Sequence, residues 1–132
     1  MEFSLNTGTK GLDEMAVTET DTAMHYGSGL IEVFATPAMI ALMEKTAQLS
    51  IQAQLPDGFV TVGTEIHITH SKASPLGARI TCQTELIEIN GKKLLFKVSA
   101  YDETGKIGEG THHRYIINAK VFMERVTASI IK

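Results

Sequence analysis

The chain has one cysteine in 132 residues and no excess of charge of either sign, with 12 Lys and Arg against 15 Asp and Glu. Cys82 alone excludes an internal disulfide framework and suits a reducing cytosol, so the expected location is cytoplasmic. A net charge of -3 offers no broad basic face for nucleic acid. Apolar runs fall short of the ~20 residues a membrane-spanning helix needs. The start, MEFSLNTGTKG, lacks the basic and apolar regions of a signal peptide. There is no G-x-S-x-G elbow, no P-loop and no dinucleotide fingerprint. A metal site is not expected either. His67 and His70, three apart on a strand, point to opposite faces, His112 and His113 diverge, and no cysteine cluster accompanies them. Cys82, mid-strand with no activating neighbour, reads as inert.

What is present is a stretch from Val33 to Leu55, VFATPAMIALMEKTAQLSIQAQL, that reads as one long helix. Thr36 suits the N-cap, Pro37 suits the first helical position, and Pro56-Asp57-Gly58 supplies the stop. Ala38 to Met43 is apolar all round, as in a helix covered on every side. Glu44 falls into this run, and a carboxylate on an apolar face is costly unless it is paired or at work.

Beyond the helix the period changes to two. Val62, Thr64, Ile66, Ile68 and His70 share one strand face, predicted to cover the helix. Arg79–Ile89 and Lys93–Asp102 flank Asn90-Gly91, a type I′ hairpin signal. Ile107–Asn118 is the last strand, its Gly108 and Gly110 suggesting a bulge or bend. Val17–Ala23 reads as a modest edge strand, His25–Gly29 as a flexible loop, and residues 1–10 as loosely ordered. Asn118 can cap a terminal helix whose Val121, Phe122, Val126 and Ile130 are expected to pack. The whole, residues 1–132, reads as a single domain. A curved sheet wraps only part of a buried helix, so a second copy of the chain is the expected remaining cover. Lys72, Arg79, Arg114 and Arg125 are local cations for an anionic ligand.

Thr36, Glu44 and His70 are a hydroxyl, a carboxylate and an imidazole on the two elements expected to pack together. That set suits acyl transfer: a nucleophile or water, a base, and a group that orients the base. A helix N-terminus adds backbone N–H groups and a positive dipole end to polarise a carbonyl. Glu44 follows Thr36 by eight residues, or about 12 Å along a helix axis. That spacing disfavours a direct side-chain hydrogen bond between them within one chain. Either His70 spans part of the gap or a dimer brings Glu44 of one chain near Thr36 of the other, and both subunits are expected to build the site.

The segments VFATPAMIALMEKTA, TVGTEIHITHSKASPLG and EGTHHRYIIN resemble the hotdog-fold thioesterases of the fluoroacetyl-CoA thioesterase-like group, over roughly residues 10–125. The resemblance implies an α+β hotdog fold, with a long central helix wrapped by a curved antiparallel sheet, assembled as a homodimer or higher homo-oligomer. It implies hydrolysis of an acyl-CoA, with no cofactor because CoA is part of the substrate. The family's catalytic threonine, glutamate and histidine fall on Thr36, Glu44 and His70. Gly63 matches a glycine near the reacting carbonyl, and Arg114 a position associated with the CoA phosphates. Where the fluoroacetyl-specific enzyme has aromatic lid residues, this chain has Leu30 and Ile31, with Tyr26 and Phe34 nearby. An acyl pocket is expected from Leu30, Phe34, Met39, Met43 and residues of a partner subunit. The rivals are enoyl-thioester hydration on the same fold and a protein that binds acyl-CoA without turnover.

Overall fold

The computed structural model describes residues 3–130. The elements run β1 (Lys10–Ala16), a 3-10 turn (Glu19–Asp21), α1 (Ala23–Tyr26), α2 (Thr36–Gln52), β2 (Phe59–His70), β3 (Arg79–Asn90), β4 (Lys93–Asp102), β5 (Gly105–Asn118) and α3 (Ala119–Ile130). The five strands form one antiparallel sheet in the order β1-β3-β4-β5-β2, which leaves β1 and β2 at its edges.

The sheet packs on α2. Met39, Leu42, Met43 and Ile51 of α2 are buried against Ile80, Leu86, Phe96 and Val98 of the sheet. Each such side chain contributes about 1.5–3 kcal/mol by leaving water. The contact is close because the sheet presents glycines where α2 presents bulk. A Cβ on Gly11 would meet Ser50 Cβ at 2.8 Å, and one on Gly108 would meet Met39 Sδ at 2.7 Å. Gly108 and Gly110 are therefore there for close approach, and the bulge in β5 falls instead at Ile107, between the Ala100–Gly108 and Tyr101–Lys106 pairs.

The helix is not covered all round within one chain. Pro37, Ala41, Lys45 and Leu49, spaced by four, form an exposed flank, and Leu49 is 55% exposed. Its start also differs from the sequence expectation: Ala35 is the N-cap and Thr36 is the first helical residue, so the Thr36 hydroxyl is not spent on capping. Helical structure ends at Gln52 rather than Leu55, and the chain turns through Leu55 before Pro56.

Several local readings are corrected. The edge strand is Lys10–Ala16, not Val17–Ala23, because its inward positions are Gly11, Asp13 and Met15, which carry no apolar alternation to read. His25-Tyr26 is not loop but part of one helical turn, started by the Thr22 hydroxyl accepting from His25 N–H and ended by Gly27 at φ 74°. The β3–β4 loop is Gly91-Lys92, because Asn90 pairs with Lys93. Only Gly91 has positive φ, which is the II′ rather than the I′ pattern. β2 carries a bulge at Thr64, so Thr61 and Gly63 face the helix before it, and Ile66, Ile68 and His70 after it. Val62 and Thr64 thus leave the inner face. Asn118 does cap α3, accepting from Val121 N–H at 3.1 Å. The apolar residues of α3 do not pack as expected: Val121, Val126 and Ile130 are exposed. Ahead of β1, Phe3 meets Phe59 edge to face, and Gly8 and Thr9 exchange backbone hydrogen bonds with Leu86.

Gly110 gives a direct test of the close packing of β5 on β2, since a Cβ there would overlap the His67 carbonyl and the Ile68 backbone. Gly110→Ala is expected to destabilise the fold by about 1–3 kcal/mol or more, read as a lowered urea midpoint.

Candidate active site

Thr36 and His70 come together although 34 residues separate them in the chain. The Thr36 Oγ1 and His70 Nδ1 are 2.8 Å apart, a direct hydrogen bond between the first residue of α2 and the last of β2. An imidazole accepting that bond carries its proton on Nε2. Nε2 is buried and has no hydrogen-bond partner. The Phe34 ring stands edge to face with the imidazole, with centroids 6.2 Å apart. Burial lowers the His70 pKa from 6.5, and the backbone at Lys72 offsets part of that shift. The ring is therefore neutral at neutral pH and able to take a proton. It borders a cleft of about 370 Å³ whose walls include Val33, Phe34, Pro37 and Lys72.

A saturated carboxylate holds this end of the molecule in place. Asp102, its side chain 3% exposed, accepts from the Ser74 hydroxyl at 2.8 Å, from Thr104 N–H at 2.8 Å and hydroxyl at 2.6 Å, and from Lys72 Nζ at 3.1 Å. These bonds, Thr104's side chain first, hold its pKa well below the usual carboxylate range. The Ser74 carbonyl in turn accepts from Phe34 N–H at 2.8 Å. Asp102 therefore ties the loop after His70 to the residue that leads into α2. Neither Asp102 nor Ser74 stood out in the sequence, because the link runs through two turns far apart in the chain.

Glu44 belongs to a second cluster, away from His70. Its Oε2 lies 3.9 Å from Arg114 Nη1, and its side chain is 43% exposed. Gly63 sits beside it: a Cβ there would meet Glu44 Oε2 at 2.9 Å and His112 Cε1 at 3.1 Å. Arg114 is not a surface cation in this chain. Its guanidinium is buried beneath Glu44 and bonded to Thr61. His112, set aside in the sequence as one of two diverging histidines, is a full member of this cluster. Met39 and Met43 are wholly buried core residues, while Leu30 is 90% exposed. His67 and His113 both turn to Glu65 on the outer side. Among the described residues, no group of three His, Cys, Asp or Glu is arranged to hold a metal. Burial pushes the Cys82 thiol up to about 11, so it stays protonated.

A model of the fluoroacetyl-CoA-specific thioesterase family matches residues 17–120. The chain belongs to this family. The curated fluoroacetyl-CoA thioesterase of Streptantibioticus cattleyicolor is 39% identical over 95 residues, covering 72% of this chain and 68% of that protein. The crystal structure of a variant fluoroacetyl-CoA-specific thioesterase in complex with fluoroacetate and CoA superposes with TM-score 0.85 at 33% identity, covering 89% of this chain and 99% of that one. A hot-dog-like protein from Thermanaerovibrio acidaminovorans has TM-score 0.86 at 24% identity, covering 93% and 91% of the two chains, a likeness of fold alone. The fold of this chain is accordingly the hotdog fold, and the family's thioesterases share both its helix and its sheet. No helix among the described residues is long and apolar enough to cross a membrane.

The electrostatics at His70 are open to direct measurement. An NMR titration of the His70 ring should give a midpoint below 6.5, and Phe34→Ala, which opens the ring to water, should move it upward. Asp102→Ala should cost about 1–3 kcal/mol in urea unfolding, because Ser74 loses its buried acceptor.

Proposed function

We propose that this chain hydrolyses an acyl-CoA thioester, with Thr36, His70 and Glu44 as its catalytic residues and with each site shared between two subunits. Thioester hydrolysis is the activity that family membership carries. The single observation that supports the residue assignment best is the 2.8 Å hydrogen bond between the Thr36 hydroxyl and His70 Nδ1. A hydroxyl bonded to a neutral, desolvated imidazole is the pairing of nucleophile and base that acyl transfer uses. The thioester carbonyl would lie at the start of α2, where the first-turn amides lack helical partners and the dipole is positive. The Thr36 oxygen bonds to the carbonyl carbon as its proton passes to His70 Nδ1, and the carbon–sulfur bond then breaks as the imidazolium gives that proton to the sulfur, releasing CoA as thiol. A water then hydrolyses the acyl ester, with Glu44 as the carboxylate that activates it.

Glu44 reaches that position from a partner. About 12 Å of helix separates it from Thr36 within one chain, and its nearest charged group is Arg114. Two unsatisfied features favour a homodimer: β2 is a twelve-residue edge strand, and the Pro37–Leu49 flank of α2 is open. CoA enters as substrate, and the chemistry calls for no further cofactor. A lone, buried, protonated Cys82 suits a reducing cytoplasm. Enoyl hydration and non-hydrolytic binding are not favoured, because neither explains a hydroxyl paired with an imidazole at a helix N-terminus in a thioesterase family.

Free-thiol release from a panel of short, medium, branched and aromatic acyl-CoAs tests the activity and ranks the acyl groups. Glu44→Ala and His70→Ala should each lower kcat by about 10²–10⁴-fold. Mixing the two inactive variants under conditions that exchange subunits should restore about a quarter of wild-type activity, since each mixed dimer regains one intact site. No restoration, with exchange verified, overturns the shared site. The acid limb of kcat/KM should lie below pH 6.5, because the lowered His70 pKa keeps the base neutral further into acid.

A further inference from the structure

His112 is buried, and neither of its ring nitrogens is free. Nδ1 lies 2.9 Å from the Glu65 carbonyl oxygen, which only accepts, so the ring proton is on Nδ1. Nε2 then holds a lone pair, and Arg114 Nη1, which only donates, lies 3.1 Å from it. Arg114 is fixed at two more points. Its Nε donates to the Thr61 hydroxyl at 2.7 Å and its Nη2 to the Thr61 carbonyl at 2.9 Å. Nη1 is the corner of the guanidinium nearest Glu44, at 3.9 Å from Oε2. The bulge at Thr64 makes this possible, since it turns β2 so that Gly63 leaves room beside Glu44 while Glu65 offers its carbonyl to His112.

We propose that His112 is a positioning residue of the thioesterase site: its Nε2 lone pair aims Arg114 Nη1 at Glu44 and so holds that carboxylate in one orientation. The proposal rests on the reading of Glu44 as catalytic. Burial lowers the pKa of the ring; the Glu65 carbonyl and the Glu44 charge offset part of that and the Arg114 guanidinium adds to it, the net direction being down, which favours the neutral ring. A protonated ring would instead turn an N–H toward a cation. The contrasting role is a purely structural one, in which His112 only pins the bulged strand through Glu65.

Two near-isosteric amides separate the roles. The Asn nitrogen takes the place of Nδ1 and keeps the bond to Glu65, but leaves nothing at Nε2. The Gln oxygen takes the place of Nε2 and accepts from Arg114, but leaves Glu65 without its donor. His112→Asn is expected to lower kcat about thirtyfold or more with KM within about twofold, because an interaction made during the chemistry is lost. His112→Gln is expected to recover at least about tenfold of that loss. Equal kcat in the two variants, or a loss confined to KM, overturns the proposal. Glu44→Gln, run alongside, separates the two levels. Full activity in Glu44→Gln sinks the catalytic reading itself. Loss there without an Asn–Gln difference sinks only the role of His112. A measurement on the wild-type protein does not depend on the variants folding: imidazole ¹⁵N shifts should show His112 protonated at Nδ1 and bare at Nε2. A proton on Nε2 overturns the proposal.

Discussion

The structure depends on enclosing α2, an apolar helix, with a sheet that reaches only part of its circumference. Close contact is achieved by subtracting side chains from the sheet, at Gly11 and Gly108, so that Ser50 and Met39 of the helix sit almost on the strand backbones. Burying methionine, leucine and isoleucine there supplies much of the driving force for folding. The same constraint leaves one flank of α2 exposed and β2 at an edge of the sheet. Thr36 and Glu44 lie on this helix where the cover from the sheet is incomplete, Thr36 exposed and Glu44 half-buried.

Polar groups along α2 are segregated by the pitch of the helix. Thr36, at its first position, meets His70 at the far end of β2, while Glu44, two turns later, meets Gly63, His112 and Arg114. Each cluster is rigid for its own reason. The first is tied by the saturated Asp102 carboxylate, which links the turn after His70 to the approach to α2 through Ser74. The second is tied by Thr61, which holds the Arg114 guanidinium at two points, and by a histidine whose tautomer is set by a backbone carbonyl. A buried cation held by neutral acceptors keeps its residual attraction for the one carboxylate within reach.

Much of the plan was legible without coordinates. The helix, its proline start, the β3–β4 hairpin, the position of His70 at a strand end and the family motif all rest on local signals: apolar period, turn residues and spacing. The misreadings share a cause. β1 was invisible because its inward residues are Gly11, Asp13 and Met15, chosen for contact with α2 rather than for alternation. Thr36 was taken as a cap because Thr before Pro is a strong capping signal, yet Ala35 occupies that place and frees the hydroxyl for His70. The burial of Arg114 is not legible in its own stretch of sequence, because it depends on Thr61 and His112, which are brought to it by strand pairing.

The sequence by itself determined a long apolar helix, period-two strands and a hydroxyl, an imidazole and a carboxylate on two elements expected to pack, because helix length, strand period and spacing are properties of neighbouring residues. The hotdog thioesterase reading came from the resemblance of its motifs to that family. Tertiary structure alone decided which of those groups touch. The bulge at Thr64 reverses the facing of β2 at a residue with no distinguishing chemistry, and strand register then delivers His112 and Arg114 to Glu44 and leaves His70 to Thr36. Pairing over such sequence distances is fixed by the packing of the whole sheet on α2, and no local stretch of residues carries that information.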